Sequence, residues 1–135
     1  MSDATPTRIY RFMGDREVLI GYLDEQGAIF RLRWEQGMAV GRVDARGAVF
    51  RNTRFDEREL GRVDEHGRIF SHGLFEGGAL GWLESDGVVV QAGLIIEEEE
   101  IGRVVGPRAA QAAAALLLLF LPDEQEADRE ATRRS

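Results

Sequence analysis

The sequence predicts an all-β protein: a closed antiparallel array of five β-hairpin repeats of about 20 residues, carrying one hydrophobic C-terminal helix. Three observations lead there. Ile20-Gly21, Val40-Gly41, Leu60-Gly61 and Leu80-Gly81 open four copies of one unit, and a fixed short period marks stacked units too small to bury an apolar face alone. Ile9-Tyr10-Arg11 lies one period before Ile29-Phe30-Arg31, a second strand lacking its first, whereas Ile101-Gly102-Arg103-Val104 is a first strand lacking its second. Pairing the two would complete a fifth hairpin and close about ten strands into a ring without exposed edges. Last, Arg108 to Leu121 is almost wholly Ala and Leu.

Within each unit an apolar residue, Gly, a variable residue and Leu or Val lead into Asp-x-x-Gly and then Ile/Val-Phe. Asp opening a four-residue turn accepts backbone hydrogen bonds, and Gly closing it takes the left-handed conformation. The turns are Asp24 to Gly27, Asp44 to Gly47 and Asp64 to Gly67, with Glu84 to Gly87 as a relaxed fourth copy. The flanking strands are short, as in a meander. A second, variable turn joins consecutive units at Glu35-Gln36-Gly37, Asp56-Glu57-Arg58 and Glu76-Gly77-Gly78. An extra residue within Glu97 to Glu100 predicts a bulge or a widened turn. The glycines at 21, 41, 61 and 81 sit within strands, where a missing side chain allows a facing aromatic or the helix to approach closely.

The aromatic column Tyr10, Phe30, Phe50 and Phe70, continued by Val90, reads as core, because it repeats beside Ile and Val. Arg11, Arg31 and Arg51 repeat in register and are expected to form ion pairs between units.

Gly106-Pro107 stops the last strand, and Pro suits the first turn of a helix built from Ala and Leu. A helix over 108–121, apolar on every side, must be surrounded by apolar matter. At about 1.5 Å per residue it reaches roughly 21 Å, short of the ~30 Å hydrocarbon core of a bilayer. It is expected to dock against the closed sheet or thread it; pairing in an oligomer and association with a membrane are the alternatives. Pro122 is taken to end the helix, residues 1–121 to form a single domain, and the charged residues 122–135 to be a disordered tail.

The pattern of Leu60-Gly61-Arg62-Val63-Asp64-Glu65-His66-Gly67-Arg68-Ile69-Phe70 and its copies, over about Thr7 to Val105, resembles the five-fold β-flower hairpin repeats of bacteria. MORN-type repeats are a weaker likeness, through Trp34-Glu35-Gln36-Gly37 and Phe75-Glu76-Gly77-Gly78, which lack the Tyr-x-Gly-x-Trp spacing. The resemblance implies a fold and supplies no catalytic residues.

Composition narrows the function classes. The chain has 135 residues, 44% of them hydrophobic and 30% charged, enough to build a core. It has no cysteine, hence neither a disulfide framework nor a thiolate zinc site. Met1 to Arg8 has no apolar run behind its charges and does not read as a signal peptide, so the expected location is cytoplasmic. All seventeen basic residues are Arg, but twenty-four acids leave a net charge of -7 with no basic stripe; this argues against nucleic acid as a partner.

Candidate chemistry is sparse. Asp24, Asp44, Asp64 and Glu84 would ring one rim and could hold calcium, but turn capping accounts for them without metal. Glu97 to Glu100 reads as a solvated run. His66 and His72 lack the paired spacing of a zinc site, and no nucleophile elbow or phosphate loop is present. No cofactor and no catalytic residue is expected, and the protein is read as no enzyme. Tyr22, Trp34 and Trp82 fall at variable columns and are the candidates for an exposed binding surface. The expected function is a structural or protein-interaction module, binding a protein partner or its own copies; the alternatives are a lipid-associated module working through the hydrophobic helix and a carbohydrate-binding module.

Overall fold

A computed structural model describes residues 5–72, 79–93 and 97–134. The strands among them are β1 (Thr7–Met13), β2 (Arg16–Leu23), β3 (Ala28–Arg33), β4 (Gln36–Val43), β5 (Ala48–Asn52), β6 (Glu57–Val63), β7 (Arg68–Ser71), β8 (Gly81–Leu83), β9 (Val88–Gln91) and β10 (Glu99–Val105). All neighbours pair antiparallel, and β1 pairs β10 to close the barrel. Ile9 faces Val104 and Tyr10 faces Arg103 across this seam, so the fifth hairpin is assembled from the two ends of the array, as the orphan strands predicted. The predicted variable turn at Glu76-Gly77-Gly78 lies outside the described residues.

Each Asp turn closes as its composition requires. The Asp24, Asp44 and Asp64 Oδ1 atoms each accept the amides two and four residues on, at 2.8–2.9 Å. Gly27, Gly47, Gly67 and Gly87 all have positive φ. Their carbonyls then accept the amides of Val43, Val63, Leu83 and Val104 at 2.8–3.0 Å, so each turn also ties one unit to the next.

Hydrogen bonds that the backbone amides of Arg68 and His66 donate to the Asp64 carboxylate, with the Arg68 guanidinium beside it, hold that carboxyl below the ordinary carboxylate range. A carboxylate depressed on folding stabilises fully above its unfolded value of about 4 and loses that contribution as pH falls below it. The melting temperature of Asp64→Asn, whose amide cannot titrate there, will therefore lie below that of the wild type at pH 7 and converge towards it by pH 3; a difference unchanged across that range would refute this account.

The core is set by alternation. Leu23 opposes Ile29, Val43 opposes Val49 and Val63 opposes Ile69, all buried and facing the barrel axis. A β-bulge recurs where Ile20, Val40, Leu60 and Ile101 are skipped by the ladder. These extra residues pack against the core, so an apolar side chain and the following glycine both serve the interior.

The aromatic column corrects the expectation of a buried core. Tyr10, Phe30, Phe50 and Phe70 are half-buried on the outer wall, while the Ile or Val before each fills the interior. Period-two alternation permits only one of two adjacent residues to face in, and the branched aliphatics take that place. Outside, the aromatics lie under cross-strand partners: Tyr22 stacks on Phe30 with centroids 4.9 Å apart, and the Arg42 and Arg62 guanidinium groups lie 4.2 and 5.0 Å from the Phe50 and Phe70 rings.

The helix threads the barrel. It starts as α1 (Ala109–Ala115), widens into a π-helical turn over Leu116–Phe120 and continues as α2 (Leu121–Arg134). Every residue from Ala112 to Leu121 is buried. At the entrance the Thr7 Oγ1 accepts the Arg108 amide at 3.0 Å, and the Gln111 side-chain amide donates to the Asp44 carbonyl at 3.4 Å.

Five glycines receive five successive helix residues. The position a Cβ would take at Gly102, Gly81, Gly61, Gly41 and Gly21 lies 2.6–3.0 Å from Leu116, Leu117, Leu118, Leu119 and Phe120 in turn. An α-helix rotates about 100° per residue, whereas five units around one axis ask for about 72°. The π turn, in which the Leu121 amide donates to the Leu116 carbonyl five residues back, moves the rotation towards that value.

The helix does not end at Pro122, and residues 122–134 are helical rather than a disordered tail. Proline breaks a helix because its ring meets a carbonyl one turn back and its missing N–H orphans that acceptor. Here the widened turn directly before it, with the Leu121 amide bonded to the Leu116 carbonyl five residues back, changes the spacing to that carbonyl and loosens the contact.

Candidate functional site

The ring has two unlike rims. The helix enters through the Asp-turn rim and leaves through the other, where the hairpin tips at Gly14, Trp34-Glu35 and Thr53–Asp56 stand. On the exit side the Arg column meets α2. Arg11 pairs with Glu124 at 3.0 Å and Asp128 at 3.8 Å, while Arg31 and Arg51 hold the two carboxylate oxygens of Asp123 at 2.8 and 2.6 Å. The sequence reading expected these arginines to bridge neighbouring units. They form instead a collar around the helix, because their column faces the axis at the height where the acidic segment emerges. Asp123, Glu124 and Asp128 were missed, since treating them as tail removed them from consideration; acids one helical turn beyond an apolar plug, set against three in-register arginines, were the available signal.

Beyond the collar, α2 is exposed on all sides over residues 125–133. Around it the tips carry large exposed apolar side chains: Trp34 is 91% exposed and Phe55 89%, with Met13 and Met38 less so. Trp34 and Glu35 both adopt positive φ, 55° and 67°, which suits a tight two-residue hairpin turn. The Arg54 guanidinium lies 5.3 Å from the Phe55 ring.

Of the three candidate surface residues, only Trp34 stands on this rim. Tyr22 and Trp82 are half-buried on the outer wall in units that are not neighbours, Tyr22 against Phe30 and Trp82 with its indole N–H donating to Glu84 at 3.2 Å. The structure does not bring the three together. Phe55 is the tip residue that the sequence reading did not single out: the variable turn was expected at Asp56-Glu57-Arg58, but Glu57 and Arg58 open β6 and the tip lies at Thr53–Asp56.

A groove of about 390 Å³ opens at the exit rim between the helix and β6–β7, over Leu60, Leu80, Leu117 and Leu118. Its polar edge includes Arg58, Ser71 and His72, and the His72 imidazole pairs with Glu59. The Ser71 hydroxyl donates to the His72 backbone carbonyl at 3.4 Å and not to the ring, so the two are not set as nucleophile and base. At the opposite rim a wider hollow of about 660 Å³ is floored by Leu83, Val104, Ala109 and Ala110.

Among the described residues, no group of three or more His, Asp and Glu is placed to hold a metal ion. The Asp-turn carboxylates are occupied by their own backbones. Glu97 to Glu100 are exposed, with Glu99 and Glu100 opening β10. No helix among the described residues is long and apolar enough to cross a membrane. No protein-family model matches the chain, and no curated protein or solved structure matches it at a significant level.

Proposed function

We propose that the chain is a non-enzymatic interaction module, a rigid ring whose exit rim is offered to a protein partner in the cytoplasm. The observation that carries this reading is the pairing of exposed Trp34 and Phe55 at successive hairpin tips with a helix pinned beside them by the arginine collar. Exposed large aromatics on a preformed scaffold are the usual anchors of protein interfaces, and a closed ladder leaves no strand edge to pair with instead. A ring of hairpins is also what the likeness to five-fold β-flower repeats implies, which supports placing the chain among them.

The apolar tips also favour a second reading, association with a lipid surface. Against it, the Ala/Leu segment is enclosed by the barrel, and the charged end of α2 stands between the rim and any flat bilayer.

The test is photo-crosslinking in the native host with benzoylphenylalanine at position 34 or 55, compared with position 65 on the Asp-turn rim. Protein adducts are expected from 34 and 55 and not from 65. Equal adducts from both rims, or none, would sink the protein-partner reading; flotation of the intact chain with liposomes would replace it with the lipid one.

A further inference from the structure

A repeat protein supplies its own reference, since each position can be compared with its copies in the other units. The collar column runs Arg11, Arg31, Arg51, and then Ser71 and Gln91. The residues opposite the collar arginines across the ladder are Val18, Met38 and Arg58. The fifth unit departs at both positions, with Gln91 facing Glu99. Set against the first two units, the fourth has lost its collar arginine at Ser71, and the third has gained an arginine at Arg58 where Val18 and Met38 stand. Ser71 and Arg58 line the same 390 Å³ groove.

The two exchanges have complementary effects. Ser71 is too short to reach the helix, so the collar is interrupted there and the Leu117 and Leu118 side is left as an apolar floor, continued by Leu60 and Leu80. Arg58 is placed directly opposite Arg51, and like charges facing across a ladder destabilise it. Arg51 is satisfied by Asp123 at 2.6 Å and His72 by Glu59. Arg58 has no ion pair among the described residues. The notch thus offers an apolar floor, a volume at the small end of ligand sites, and one guanidinium whose fork suits a carboxylate.

We propose that this notch binds a small amphipathic anion, an aliphatic carboxylate of medium chain length, with its chain over Leu60, Leu80, Leu117 and Leu118 and its carboxylate on Arg58. The anion neutralises Arg58, the guanidinium of the facing Arg51–Arg58 pair that Asp123 does not hold. A cation of the same shape is rejected by Arg58, and a compact hydrophilic anion leaves the leucines uncovered. This site does not depend on the protein-partner reading, which uses the hairpin tips and α2.

The test is calorimetric titration of the full chain with octanoate, alongside octylamine and acetate. Octanoate is expected to bind saturably and raise the melting temperature, with octylamine and acetate at least tenfold weaker. Arg58→Leu installs an apolar residue like Val18 and Met38 of the first two units, and Ser71→Arg the arginine of the first three, so both are expected to keep the fold, and each should weaken octanoate at least tenfold. Arg46→Leu, at the far rim, should change nothing. Octylamine binding as well as octanoate, full affinity retained in Arg58→Leu, or no saturable binding of octanoate to the wild type would each overturn the proposal.

Discussion

A chain cut after Val105 will have no cooperative thermal transition and will be largely insoluble, although it retains every strand of the barrel. The helix supplies six large buried side chains, Leu116 to Leu119, Phe120 and Leu121. At about 1.5–3 kcal/mol for each side chain buried, their removal forfeits roughly 9–18 kcal/mol, against a net stability of about 5–15 kcal/mol for an ordinary domain. The loss has no internal remedy. The five glycines that face the helix have no side chains with which to fill the void, and the inward Ile, Leu and Val would line a hollow open at both ends. Circular dichroism of the full chain beside the truncated one decides the matter: a truncated ring melting cooperatively near the parent temperature would mean that the barrel carries its own core and that the helix is free for other duties.

The second large effect is expected from a single methyl-bearing carbon. In Gly81→Val the new Cβ would collide with the backbone carbonyl of Val90 and stand 2.7 Å from Leu117 Cδ1. The carbonyl belongs to a strand bonded on both sides and cannot retreat alone. The expected destabilisation exceeds about 4 kcal/mol, the range reserved for severe overpacking and backbone distortion, and denaturant unfolding or loss of soluble expression measures it. Adding Leu117→Ala makes room on the helix side only, so it should not restore stability; a restored double variant would show that the helix contact alone sets the requirement. Gly14→Asn is the comparison, since nothing stands within 4 Å of a Cβ there and Asn tolerates its φ of 65°; it should be nearly neutral.

Much of this architecture was legible because the repeat is its own alignment. The strands, the Asp-x-x-Gly turns and the closure of Ile9 to Arg11 upon Ile101 to Val104 all follow from spacing, as do the strand glycines as places of close approach. The aromatic column was not legible in the same way. Ile-Phe pairs present two adjacent hydrophobic residues to a period-two element, and sequence does not say which faces in until the neighbours across the ladder are known; Arg42 and Arg62 over their rings show the polar, outer side. The passage through Pro122 was hidden for a different reason. Proline's cost assumes a regular α-helix before it, and the π turn that changes the cost is imposed by the fivefold spacing of the glycines rather than by any local preference of Leu116 to Phe120. The exit rim was the least legible part, because it joins Arg11, Arg31 and Arg51 to acids over seventy residues away, and because Phe55 has no equivalent at the same column of every unit.

Enclosing the helix within a ring sealed by β1 and β10 dictates an order of events. The plug follows the last strand in the chain, so the first nine strands are made before either the plug or β10, the strand that closes the ring on β1, exists. A half-made ring has an open seam and an unfilled centre, and nothing in it can be finished early. Assembly must therefore wait for the end of the array and then complete strand pairing, plugging and sealing as one event, with the chain's non-local contacts formed last and its slowest step set by bringing its ends together. The same bolt works in reverse: enclosed by the ring and held at its exit by the arginine collar, the helix cannot be released by fraying of a single strand end.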